Sequence, residues 1–305
     1  MPGQTHMAVT VECVPNFSEG RRKEVVDRIV YSIRSVPGIK VLDVEMDPDH
    51  NRSVVTFTGN KETIQEGAFR GARAARELID LTKHTGQHPR MGALDVLPFV
   101  PISGVTMEEC VELANKVGAR IAKELKIPVY MYEAAAKKPE RKNLENVRRG
   151  EFEGLRDEIV SDESRYPDYG PRMIHPTAGA TAVGARMPLI AFNVNLKTKD
   201  VGVAKQIAKT IRASSGGLPN VKALGFMLEE RGMAQVSMNL TDYTVTSVSR
   251  VYDAVKRQAD AAGVEIAESE LVGLIPLVAV CDVFSSHLNV KDFTSNQVLE
   301  RRIWG

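Results

Sequence analysis

Cysteine is scarce in this 305-residue chain: Cys13, Cys110 and Cys281 are far apart and odd in number. They form neither a zinc spacing nor a disulfide framework, so a reducing cytosol is the expected setting. An excess of one charge is also missing. Forty Lys and Arg against 39 Asp and Glu leave a formal charge of +1, without the basic surplus of a general nucleic-acid binder. Aromatic residues make up only 6%, too few for the stacking platform that an RNA-binding sheet uses. No apolar run approaches the roughly 20 residues of a membrane span. The opening Met1-Pro-Gly-Gln-Thr-His-Met7 is polar and carries no apolar export segment. It reads as a disordered tail or an expression remnant, and His6 is given no role. What the chain does have is apolar content, 43%, enough for a sizeable core in two ordinary domains or one large one.

The hydrophobic pattern divides into two similar halves. In the first, a strand is expected at 9–17, a helix from about Gly20 to Val36, strands at 39–44 and 53–58, and a helix at 61–80. A strand at 93–100, a helix at 107–125 and a strand at 127–132 complete it. The second half runs as strand 189–196, helix 201–213, strands 221–228 and 234–239, helix 247–262 and strand 264–274. Strand–helix–strand–strand–helix–strand is the split βαβ order. The expected fold class is therefore α+β: two subdomains, 8–183 and 184–305, each a ferredoxin-like, mostly antiparallel sheet with helices on one face.

Chemistry concentrates in residues 84–96, His-Thr-Gly-Gln-His-Pro-Arg-Met-Gly-Ala-Leu-Asp-Val. His84 and His88 have the spacing of a helical metal-ligand pair, but Gly86 and Pro89 take the segment out of helix. A loop presenting an imidazole and a guanidinium at a strand entrance is a reasonable place for catalysis. A structural histidine bonded within the loop is the plainer alternative for His88, and a supporting hydrogen bond is expected of His84. Val14-Pro-Asn-Phe-Ser-Glu-Gly20 ends the first strand and opens a helix. Ser18 is placed there to cap, and the helix start offers N–H groups to a carboxylate. Asn16 and Phe17 go beyond what a cap requires. Asp47-Pro-Asp-His-Asn-Arg52 is ordinary turn chemistry or, alternatively, a site for a metal or an amine. His287 reads as structural. Residues 166–179, rich in Pro and Gly, are either an interdomain linker or a ligand-lining loop. Lys137, Lys138, Arg141, Lys142, Arg148 and Arg149 form the densest basic stretch. They are a solvated surface or a seat for a polyanionic ligand tail.

Taken in order, residues 11–20, 49–53, 84–96 and Leu271-Val-Gly-Leu-Ile-Pro276 closely resemble the folate-dependent formiminotransferases, the glutamate formimidoyltransferase family of histidine breakdown. The resemblance extends from about Met7 along the whole chain. It implies a monofunctional, cytoplasmic, homodimeric enzyme with a folate cleft between its subdomains and no need of a metal. The catalytic histidine of the family falls on His88, here preceded by Gln87 rather than the usual acidic residue. The folate-binding segment falls on Gly170, Pro171, Arg172, Met173, Ile174, His175, Pro176, Thr177, Ala178 and Gly179. Arg172 and His175 depart from the vertebrate form. Asn16, Ser18 and Arg90 are the further substrate or folate ligands expected. Arg90 suits bidentate pairing with a carboxylate or could equally brace its loop.

The implied substrates are N-formimino-L-glutamate and tetrahydrofolate, which cells carry in polyglutamylated form. Attack of N5 on the amidine-like carbon gives a tetrahedral intermediate in which one nitrogen must lose a proton and the departing glutamate nitrogen must gain one. A single histidine with a pKa near neutrality can do both. Glu45, Asp47 and Asp49 are candidates to stabilise the formimino cation. Two alternatives stand beside this reading: a glutamate formyltransferase using N-formylglutamate or 5-formyltetrahydrofolate, and a folate-binding protein without activity.

Overall fold

The structure, a computed structural model, describes residues 9–48, 50–86, 89–291 and 293–304. The expectations placed on Asp49, Gln87 and His88 lie outside the described residues. The chain parts into two compact units, Met1–Arg186 and Met187–Gly305.

The first unit opens with β1 (Thr10–Cys13) and β2 (Asn16–Phe17), where a single strand 9–17 was expected. Pro15 lies at the break, because proline has no N–H to give to a ladder. Next come α1 (Lys23–Arg34), β3 (Lys40–Asp47), β4 (Arg52–Gly59), α2 (Lys61–Leu78) and β5 (Leu94–Ser103). The β1/β2 line sits between β4 and β5, and β3 flanks β4, all antiparallel, as a split βαβ requires. The chain then continues through α3 (Met107–Arg120), β6 (Val129–Glu133), α4 (Leu144–Arg148), α5 (Glu151–Ser161) and β7 (Thr181–Ala185). β7 pairs in parallel with both β5 and β6, so the sheet, antiparallel elsewhere as expected, is mixed at this edge. The cause is the helical crossover from β5 to β6, which returns the chain in the same direction. A junction at 183/184 would cut β7, which belongs to the first unit.

Helix α1 presents Val25, Val26, Ile29, Val30 and Ile33 inward at helical spacing. Opposite them α2 offers small residues, Gly67, Ala68, Gly71, Ala72 and Ala75, so the two helices pack closely. Phe17, Phe57 and Phe99 are almost wholly removed from solvent. Each such side chain contributes about 1.5–3 kcal/mol through its burial.

The second unit is β8 (Ile190–Leu196), α6 (Val201–Ile211), β9 (Val221–Leu228), β10 (Met233–Leu240), α7 (Val248–Ala261) and β11 (Ile266–Val272). Its sheet order β11-β8-β10-β9 is antiparallel throughout and repeats the order of the core of the first sheet. Val194, Leu196, Val236, Ile207, Val251 and Val255 form its separate apolar centre. α8 (Leu277–Leu288) follows, and its His287 lies 6.1 Å, ring to ring, from Tyr252. Among the described residues no helix is long and apolar enough to cross a membrane.

Candidate active site

Three of the singled-out runs meet inside the first unit. The end of the first strand is tied to the 84–96 run: the Ser18 N–H donates to the Ala93 carbonyl (3.0 Å) and the Ser18 hydroxyl to the Gly92 carbonyl (2.7 Å). Ser18 is therefore not a helix cap. The N-cap of α1, which starts at Lys23, is Arg22 and carries no side-chain cap; the buried Glu19 carboxylate instead accepts the N–H groups of Arg21 and Arg22, both at 2.9 Å, in the turn ahead of the helix. Those N–H bonds and Arg22 hold the Glu19 carboxyl below its usual range against the cost of burial.

The 47–52 turn packs on the same place. Asn51, in the left-handed region (φ 51°), accepts from the Gly20 N–H at 3.0 Å and donates to the Thr85 carbonyl at 2.9 Å. A Cβ at Gly20 would stand 2.2 Å from the Asp47 carbonyl oxygen, so only glycine admits this approach. Asp47 lies 2.5 Å from His50 Nδ1.

Within the 84–96 run, His84 Nε2 is 3.0 Å from the Asn51 carbonyl and Arg90 Nε donates to His84 Nδ1 at 3.2 Å. These partners assign the proton to Nε2. Burial holds the His84 imidazole below its usual range, with Arg90 adding to it and the Asn51 carbonyl opposing it. The rest of the Arg90 guanidinium is engaged by Glu151 (2.9 Å) and, in a fork, by Glu153 (2.8 and 2.6 Å). Arg90 braces its loop rather than waiting for a carboxylate.

Asp95, almost fully buried, accepts from the Met91 N–H at 2.8 Å and pairs with Arg148 at 2.5 Å. Arg52 comes close enough to feel both. Burial first, then Arg148, lowers its guanidinium to about 10, while Asp95, Asp47 and Glu45 act in the other direction. Asn16, Ser18, His50, Asn51, Arg52, His84, Arg90 and Asp95 together line one pocket with Phe17. Of the expected site residues, Asn16, Ser18 and Arg90 are thus brought together. Glu45 and Asp47 stand beside Arg52. Asn51, Arg52, Asp95, Arg148, Glu151 and Glu153 were not assigned from sequence. Asn51, Arg52 and Asp95 lie in motifs already quoted and Arg148 in the basic stretch, whereas nothing local marks Glu151 and Glu153.

The 170–179 segment is not an interdomain linker, because it is stitched into the first unit. The Leu81 N–H donates to the Thr177 carbonyl (2.8 Å), the Ala93 N–H to that of Ala178 (2.9 Å) and the Ala180 N–H to that of Met91 (2.8 Å). His175 and Gly179 exchange backbone bonds in a tight turn. Gly179 has φ +69°, and a Cβ there would meet the Met91 carbonyl at 2.2 Å. His175 Nδ1 accepts from the N–H groups of Thr177 and Ala178 (3.3 and 3.0 Å), and its Nε2 lies 3.2 Å from Arg76. Burial, then Arg76, lowers its pKa. Arg172 stacks over Tyr166 at 4.0 Å, Ile174 and Ala178 are buried, Pro176 lies in the turn, and Met173 is exposed. Gly170 and Pro171 line a second hollow of about 400 Å³ with Tyr169, Lys123 and Lys126.

The basic stretch is divided: Lys137, Lys142 and Arg149 are exposed, Lys138 and Arg148 partly so, and Arg141 is internal. Arg141 is buried against Asp168 (2.8 Å) and donates to the carbonyls of Ser164 and Tyr166. Arg148 holds Asp95, and Arg149 lies within 4 Å of Glu158 and Asp162. Lys137 covers the Tyr169 ring at 3.8 Å.

Residues 10–186 match the family model of the formiminotransferase domain, N-terminal subdomain, and residues 191–300 match that of the formiminotransferase domain. The chain belongs to the formiminotransferase family and is an enzyme, a transferase. Its relatives narrow the class further. The glutamate formimidoyltransferase of Streptococcus pyogenes serotype M1 is 50% identical over 300 residues, 98% of this chain and 100% of that protein. That of Thermoplasma acidophilum is 48% identical over 295 residues, 96% of this chain and 97% of that one. The formimidoyltransferase-cyclodeaminase of Mus musculus is 47% identical over 283 residues, 90% of this chain but 52% of the longer protein.

Proposed function

We propose that the chain transfers the formimino group of N-formimino-L-glutamate to N5 of tetrahydrofolate, releasing L-glutamate, with His88 as the general acid and base. The observation that supports this reading most is the 50% identity along the full length of the Streptococcus pyogenes glutamate formimidoyltransferase. The pocket of the first unit agrees with it in chemistry. N-formimino-L-glutamate carries a protonatable amidine and two carboxylates. Arg52 and Arg90 both line the pocket, and in this reading the Arg52 guanidinium meets a substrate carboxylate. Glu45 and Asp47, close to Arg52, suit the formimino cation.

The role of His88 rests on the resemblance of its motif to the family's catalytic histidine: in this reading it takes the proton from the attacking nitrogen and returns it to the departing glutamate nitrogen. Burial and neighbouring arginines lower the pKa of His84 and of His175, which suits both to supporting parts. The 170–179 loop is the folate-binding element of this reading, its exposed Met173 offering apolar surface. The same reading makes the protein a cytoplasmic homodimer in histidine breakdown, using chemistry that requires no metal. Parallel assays with N-formimino- and N-formyl-L-glutamate and tetrahydrofolate test it. Faster turnover of the formyl donor would make the enzyme a formyltransferase, and no turnover of either would leave a folate-binding protein.

A further inference from the structure

Residues 84 and 90 are six positions apart, yet their side chains touch: Arg90 Nε donates to His84 Nδ1 at 3.2 Å. This bond joins the two ends of the run, the neck. Each side of the neck is then anchored separately. On one side His84 Nε2 meets the Asn51 carbonyl, and the Asn51 side chain holds the Thr85 carbonyl. Gly86 lies so close that a Cβ would stand 2.4 Å from the His50 carbonyl oxygen. On the other side Glu151 and Glu153, in the first turn of α5, grip the Arg90 guanidinium, while the Phe152 N–H donates to the Arg90 carbonyl at 3.0 Å. Glu151 is held in the left-handed region at φ +55°, a conformation that costs a non-glycine residue of order 1–3 kcal/mol. Arg90 itself is only 9% exposed.

We propose that His84, Arg90, Glu151 and Glu153 form a clamp that holds both ends of the 84–90 run, and that proton transfer by His88 depends on it. In this proposal they act through His88, as positioning residues, although His84 and Arg90 also line the pocket. The proposal rests on the reading of His88 as the acid and base. The clamp needs an acceptor at the His84 Nδ1 position, because Arg90 can only donate. Asparagine places its side-chain oxygen near that point, whereas alanine has none and glutamine reaches toward the Nε2 position instead.

The test is a double-mutant cycle on the full-length enzyme. His84→Ala is expected to lower kcat by about 10- to 100-fold, with the KM of both substrates within twofold. His84→Asn should restore kcat to within about threefold of the unaltered enzyme, while His84→Gln should resemble His84→Ala. In a His88→Ala background, His84→Ala should lower the residual rate no further, because groups acting as a unit are non-additive. Thermal melts of each variant separate loss of fold from loss of function. Glu153→Gln, on a half-exposed side chain, gives a second entry should His84→Ala fold poorly, with the same kcat-only loss expected. Multiplicative losses in the cycle, full kcat in His84→Ala, or failure of asparagine to rescue would each overturn the clamp. Failure of the underlying reading has a different signature: His88→Ala itself would keep its turnover.

Discussion

Burial and charge at single residues set how this protein responds to pH. His84 and His175 are both pushed below the ordinary histidine range, by burial first and then by Arg90 and Arg76. The unfolded chain therefore takes up their protons before the folded one does. The stability they confer is fully present above pH 6.5 and is lost as the pH falls below that value. Urea titrations at pH 7.5 and 5.5 should show a lower midpoint at the acid pH, and His175→Asn should reduce the difference. A midpoint that did not fall would contradict the assigned neutral state. Gly20 gives a second test at this scale. Gly20→Ala drives a methyl into the Asp47 carbonyl and should destabilise by more than the roughly 1 kcal/mol typical of a point change, read as a drop in urea midpoint. The residue types at this site were legible in the sequence, but their partners were not. Ser18 looks like a cap because it precedes a helix, and the guanidinium of Arg90 suits a substrate carboxylate as well as a bracing part. Their actual partners, Gly92 for Ser18 and Glu151 and Glu153 for Arg90, come from distant sequence, and no local pattern announces them.

Elements were legible wherever one periodicity ruled. β9 runs from Val221 to Leu228, as its alternation predicts, and α1, α2, α6 and α7 follow their apolar stripes to within a few residues. What did not show was pairing. The β6 segment reads as a strand, but nothing in it states that it will lie parallel to a neighbour that arrives some 50 positions later. The basic stretch shows the same limit: Lys137, Lys142 and Arg149 are exposed, as a run of Lys and Arg suggests, but nothing in it announces the acidic partner of buried Arg141. Arg141 and Asp168 are 4% and 5% exposed, and Asp168 also accepts the Met131 N–H on β6. Asp168→Ala would strand the Arg141 charge and should cost about 3–5 kcal/mol, measured by urea unfolding. A loss below about 1 kcal/mol would mean that the pair does not hold this part of the unit together.

At the scale of the whole molecule, two units with separate apolar centres share one chain. Each carries the same antiparallel four-strand order at its core, and the first adds two parallel strands and the 170–179 loop. Under the proposed function, 5-formyltetrahydrofolate should slow hydrogen exchange across 170–179 and leave α6 unchanged. Unaltered exchange in the loop would remove it from the folate site. The most direct test of the central claim is the initial rate of formimino transfer from N-formimino-L-glutamate to tetrahydrofolate, measured side by side for the unaltered enzyme and for His88→Ala. The account predicts robust transfer by the first and a rate lower by roughly 10²–10⁴-fold in the second, the usual contribution of general acid–base catalysis. Equal rates in the two proteins, or no transfer by either, would contradict it.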